Sequence, residues 1–131
     1  MRRVEQHFIS HSHTKWDEID HMAFASKNLW NLANYDTRQA FIFEKQYKNA
    51  AALYSTLKHT DAYQALPAKV ANQVLIQLDK AWKSFFEANE AYQADPAKLL
   101  GRPQLPKYKH KTEGRNVLVS STSWWQSALA P

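Results

Sequence analysis

PAKVANQVLIQLDKAWKSFFEANEAY, residues 67–92, decides the fold class. Val70, Val74, Leu78, Ala81, Phe85 and Tyr92 recur along it at helical steps, with Leu75, Trp82 and Phe86 beside them. That period lays one broad apolar stripe along a helix, whereas a strand would scatter the same residues over both faces. Pro67 suits the opening of such a helix, because its fixed φ fits and its missing N–H would have no partner there. Asp95 and Pro96 end the pattern, since proline cannot continue a helix. Asp79 and Lys83, four residues apart, are expected to face solvent as a pair worth about 0.2–0.5 kcal/mol.

Toward the N-terminus, Trp16, Ile19, Met22, Ala23, Leu29, Trp30 and Ala33 predict a second long helix, with Thr14 as its cap and Asp17 three residues on. No Gly or Pro interrupts it before Glu44, so it is expected to run on through TRQAFIF, although Asn34, Asp36 and Thr37 are weak helix formers. AAALYSTL predicts a short helix capped by Asn49, and TDAYQAL leads into Pro67. The expected fold is therefore mainly α, a helical bundle over residues 14–97. Beyond it, Pro103 and Pro106 forbid continuous helix and KYKHK alternates with period two. An extended segment there puts Lys107, Lys109 and Lys111 on one face and Tyr108 and His110 on the other. NVLVS, residues 116–120, reads as a strand.

Charge divides the chain at the same place. The net charge is +5, yet residues 1–97 balance 11 Lys and Arg against 11 Asp and Glu, while residues 98–131 hold six bases and one acid. A basic excess confined to one segment is the footprint of a polyanion-binding element, and nucleic acid, RNA or DNA, is the expected partner. Lys98, Arg102, Lys107, Lys109, Lys111 and Arg115 are the candidate phosphate contacts, and Tyr108 is a candidate stacking residue. The plain alternative is a solvated basic loop.

Other constellations carry less. With no cysteine, disulfides, cysteine zinc sites and thiol nucleophiles are excluded. His7, His11 and His13 lie close together but lack a completing ligand set, and read best as polar loop residues. Asp17 with Asp20, and Glu87 with Glu90, stand at i, i+3 and read as solvated faces rather than a magnesium site. The serines of VSSTSWWQS have no histidine at informative spacing. No catalytic site, metal or cofactor is expected. Trp16, Trp30, Trp82, Phe85 and Phe86 sit at helical spacing and are expected in the core rather than in a stacking platform. The opening MRRVEQHFISHSH is not followed by a signal-peptide apolar run, and no membrane-spanning stretch occurs, so a cytoplasmic protein without membrane contact is expected.

Three stretches, LWNLANYDTRQAF (29–41), ALPAKVANQVLIQLDKAWKSFF (65–86) and GRPQLPKYKHK (101–111), occur in an order and at distances that resemble the N-terminal region of the TnpB (OrfB) family. These insertion-sequence proteins, long labelled transposases, are RNA-guided DNA endonucleases related to compact CRISPR effectors. The resemblance covers residues 14–119. It implies a helix-turn-helix-like recognition lobe over 14–97, and partial β-barrel segments at 1–13, with a strand around VEQHFIS, and at 98–131, joined by the basic linker. Lobe and barrel contact guide RNA and target DNA. Leu105 stands where the family usually has an aromatic residue. The nuclease domain and cysteine zinc ribbon of the family are not in this sequence, so the expectation is a truncated, non-catalytic, nucleic-acid-binding portion. The alternatives are a small interaction module docking through Trp124 and Trp125, or a transposase remnant without selected function.

Overall fold

The structure, a computed structural model, describes residue 12 and residues 14–118. Among the described residues four α-helices follow one another, α1 (Trp16–Phe43), α2 (Ala50–Leu57), α3 (Asp61–Gln64) and α4 (Ala68–Ala94), followed by a 3-10 turn at Pro96–Lys98. The chain is mainly α, as its apolar periodicity requires, and no strand occurs among the described residues. The expected strand at 116–120 is not formed over residues 116–118. Val119 and Ser120, the expected strand at VEQHFIS, the serines after 119, Trp124 and Trp125 all lie outside the described residues.

The start of α1 differs from the expectation. Lys15, not Thr14, stands at the cap and makes no side-chain capping bond. The Lys15 carbonyl accepts the Ile19 N–H at 3.0 Å, and Asp17 and Glu18 in the first turn set negative charge against the exposed N–H groups. The helix does run unbroken to Phe43. Its weak middle is compensated residue by residue: Thr37 donates to the Ala33 carbonyl at 2.9 Å, and Asp36 pairs with Lys48 at 3.1 Å. Asn49 caps α2 by accepting the Ala52 N–H, and Thr60 likewise caps α3. Pro67 stands one position before α4, at its N-cap.

α1 and α4 run in the same sense, with Asn34 meeting Trp82 and Phe41 meeting Phe85 and Phe86 one and two turns on. α2 and α3 make the return between them and pack on both. Leu29 and Ala33 of α1, Leu53 and Leu57 of α2, Tyr63 of α3, and Val70, Ala71, Val74, Leu75, Leu78 and Trp82 of α4 form one buried core. An aromatic cluster caps one end, where Phe41 stands 5.4 Å from Trp82 and Tyr47 stands 5.1 Å from Phe86, both edge-on, the arrangement ring quadrupoles favour. Trp30 and Trp82 are buried and Phe85 and Phe86 half-buried, as expected of core residues.

Asp79 corrects the solvent-facing expectation. Its side chain is only 14% exposed, because the Tyr47 hydroxyl donates to it while Lys83 pairs with it at 3.2 Å from the outer side. Burial, reinforced by the Asp79 carboxylate, pushes the Tyr47 phenol well above its ordinary range.

After α1 the chain reverses at Lys45, whose φ of 57° is the only positive one at a non-glycine residue among those described. An L-residue pays for this geometry by crowding its Cβ against the carbonyl, about 1–2 kcal/mol, of which glycine's extra backbone freedom would offset about half. Lys45→Gly is therefore expected to raise unfolding free energy by roughly 0.5–1 kcal/mol, read as a shifted urea midpoint at unchanged slope.

Candidate nucleic-acid interface

The basic segment lies along α1. Donors on one face of that helix, at Lys27, Trp30, Asn31, Asn34 and Arg38, reach the backbone carbonyls of residues 106, 107, 109 and 111. The Trp30 indole donates to the Lys107 carbonyl at 3.1 Å. Asn34 donates to Pro106 at 2.9 Å, and Arg38 donates to the same carbonyl. Asn31 uses both halves of its amide, donating to the Lys109 carbonyl at 3.0 Å and accepting the Lys109 N–H at 2.8 Å. Residues 107, 109 and 111 thus turn carbonyls to the helix, the alternation of extended backbone. Along this edge helix side chains, rather than a neighbouring strand, take the backbone groups.

Asn34 is fully buried. Its amide oxygen accepts the Trp82 indole N–H at 3.1 Å while its nitrogen serves Pro106, so both ends of a polar group deep in the core are satisfied.

At the far end, His110 Nδ1 accepts the N–H groups of Glu113 at 3.0 Å and Thr112 at 3.3 Å, and its carbonyl accepts Gly114 N–H at 3.0 Å. A Cβ on Gly114 would stand 2.5 Å from the His110 carbonyl oxygen and 2.6 Å from its nitrogen, so only glycine fits this closed turn. The chain then docks again, Asn116 donating its N–H to the Ala23 carbonyl at 3.2 Å and its amide to Gln77 at 2.8 Å.

The seven candidate residues fare differently. Lys98, Arg102, Lys107 and Lys111 are exposed, with no hydrogen-bond or ion-pair partner for their side chains among the described residues. The Lys109 ammonium lies over Trp30, 4.7 Å from its ring centre. Tyr108 is 45% exposed with the Arg38 guanidinium 4.7 Å from its ring centre. The three lysines 107, 109 and 111 are therefore not equivalent. Arg115 is held within the fold: it pairs with Asp20 at 2.9 and 3.3 Å and donates to the carbonyls of Thr112 and Gly114. That pairing also accounts for Asp20 without a metal, and no group of three or more metal-ligating side chains gathers among the described residues. His7, His11 and His13 lie outside them.

Between this segment and α4 runs an open groove of about 690 Å³, lined by Trp30, Phe85 and Tyr108, by Gln104 and Ser84 as polar members, and by Lys107 and Lys109. Charge segregation pointed to residues 98–115 but not to this second wall. The missed residues were Arg38, Asn31, Asn34 and Trp30. Their signal in the sequence was a row of long donors at helical spacing inside an otherwise apolar stripe. None of the protein-family models, curated proteins or solved structures compared with the chain matches it.

Lys27 is the unusual member of the row. It is 1% exposed, held by Asn28 Oδ1 at 2.7 Å and the Lys111 carbonyl over the face of Phe24 at 3.7 Å, with no carboxylate beside it among these contacts. Burial above all, then the nearby Arg115 and Lys111 charges, lowers its pKa. The unfolded chain consequently binds this proton more tightly, so stability from this site rises with pH up to the ordinary lysine range of about 10.4. Denaturant midpoints of the wild type should rise relative to those of Lys27→Met as pH approaches that range, Tyr47 being common to both; a falling difference contradicts the assignment. Gly114→Ala should cost about 1–3 kcal/mol, the usual range for overpacking, and should speed amide exchange at Asn116 without affecting Leu78.

Proposed function

We propose that this chain is a nucleic-acid-binding module, without catalytic activity of its own, in which RNA or DNA lies in the groove between α4 and residues 103–109. The observation that carries the reading is the coincidence, in the lining of one open groove, of aromatic rings with lysines, on a segment whose backbone is already bonded to α1. Single-stranded nucleic-acid sites combine these two features, a cationic track for the phosphates and rings for the bases. A rigid segment loses little further freedom when the ligand arrives.

Lys98, Arg102, Lys107, Lys109 and Lys111 are the proposed phosphate contacts. Arg115 acts instead as a pin, since its guanidinium serves Asp20 and two carbonyls. The resemblance of residues 14–119 to the N-terminal region of TnpB-like transposases supports the same class of partner, guide RNA or target DNA; a cytoplasmic setting is proposed with it. Among the described residues no helix is long and apolar enough to cross a membrane.

Binding should be weak, salt-sensitive and largely indifferent to base sequence. Five single-strand contacts give a slope of log affinity against log salt near −3.5, at about 0.7 per phosphate. Replacing Lys107, Lys109 and Lys111 with Ala should flatten it by about 2, measured by fluorescence anisotropy with a labelled oligonucleotide. Affinity and slope unchanged by the triple substitution would sink the reading.

A further inference from the structure

Arg38 is on α1, far in sequence from the basic segment. Its guanidinium nevertheless does two things at residues 106–108: it donates to the Pro106 carbonyl and lies 4.7 Å from the centre of the Tyr108 ring. Its Nε is buried and has no hydrogen-bond partner among the described residues, so the group is held there by its stack and its single carbonyl rather than by a carboxylate. Tyr108 has no ring partner among the described residues, and 45% of it is exposed at the edge of the groove. A half-exposed ring with a planar cation beside it is suited to take a stacked partner.

The polar members of the groove fit the same ligand. Gln104 and Ser84 are exposed and line the groove, and each can both donate to and accept from the edge of a base. Duplex nucleic acid hides the faces of its bases in the stack, so only an unpaired base offers a face to Tyr108.

We propose that the groove takes an unpaired nucleobase stacked on the exposed part of the Tyr108 ring, and that Arg38 is the positioning residue that holds Tyr108 ready for it. This rests on the nucleic-acid reading above and adds to it a preference that phosphate contacts alone do not produce. Arg38 touches the ring and not the ligand. Its charge adds to the attraction for phosphate, but its plane is what orients Tyr108.

The test compares a ten-nucleotide oligoadenylate, as RNA and as DNA, with an abasic sugar-phosphate chain of equal length and with a duplex, by fluorescence anisotropy. The wild type should bind the oligoadenylates about tenfold more tightly than the abasic chain, and more tightly than the duplex. A preference shown by either sugar supports the proposal and identifies the source of the base. Tyr108→Phe should keep the preference and Tyr108→Ala should remove most of it. Arg38→Lys, which retains the charge, should reduce the preference while leaving the salt slope unchanged, a split that a purely structural role does not produce. If the abasic chain or the duplex binds as tightly as oligoadenylate with the lysine-dependent slope intact, the stacking proposal falls and the nucleic-acid reading stands. If none of the four probes binds, both fall. A preference untouched by Tyr108→Ala, or Arg38→Lys weakening all probes equally, also overturns the proposal.

Discussion

The side chain of Asn34 joins three parts of the chain at one buried point. Its oxygen takes the indole N–H of Trp82 on α4, its nitrogen takes the carbonyl of Pro106, and its backbone belongs to α1. An amide with no access to water destabilises the fold unless both its donor and its acceptor are used. The two long helices and the basic segment therefore have one mutual arrangement in which this group is satisfied. Hydrophobic burial around Trp82 supplies most of the driving force, but it is non-directional and would tolerate helices sliding by part of a turn. The hydrogen bonds of Asn34 set the register.

From that point the polar face of α1 extends in both directions. Arg38 lies one turn further on, Asn31 and Trp30 one turn back, and Lys27 one turn beyond those, each addressing a main-chain carbonyl of residues 106–111. Helix side chains here do what a neighbouring strand does in a sheet. Because the carbonyls are taken by neutral amides, an indole and two cations, the lysine side chains at 107 and 111 are left exposed. Stability and exposure of charge come from different atoms of the same residues, so the segment is both rigid and basic. The arrangement also places positive groups close together, with Lys111 and Arg115 acting on Lys27, and the Arg115–Asp20 pair is the nearby compensation.

Much of the helical architecture could be read from residues 14–97. Unbroken apolar periodicity and the absence of Gly and Pro carried α1 through Asn34, Asp36 and Thr37, and Asn49 capped α2 as its residue type suggests. Local rules failed where a distant partner intervened. Asp79 looked solvent-facing by its i, i+4 partner, but Tyr47 covers it. Arg115, which charge alone groups with the other basic residues, also pairs with Asp20, 95 residues away. Thr14 had a cap's chemistry, yet the helix opens one residue too late for it to serve.

The sequence by itself determined which segments are helical, where the chain changes character, and that its excess positive charge lies after residue 97, because periodicity, proline and charge are properties of neighbours along the chain. Only the tertiary structure decided which cations remain exposed, which are pinned, and that α4 supplies the opposite wall of the groove beside Tyr108. Those outcomes depend on contacts between residues dozens of positions apart, and the satisfaction of buried donors and acceptors is settled only when their partners meet.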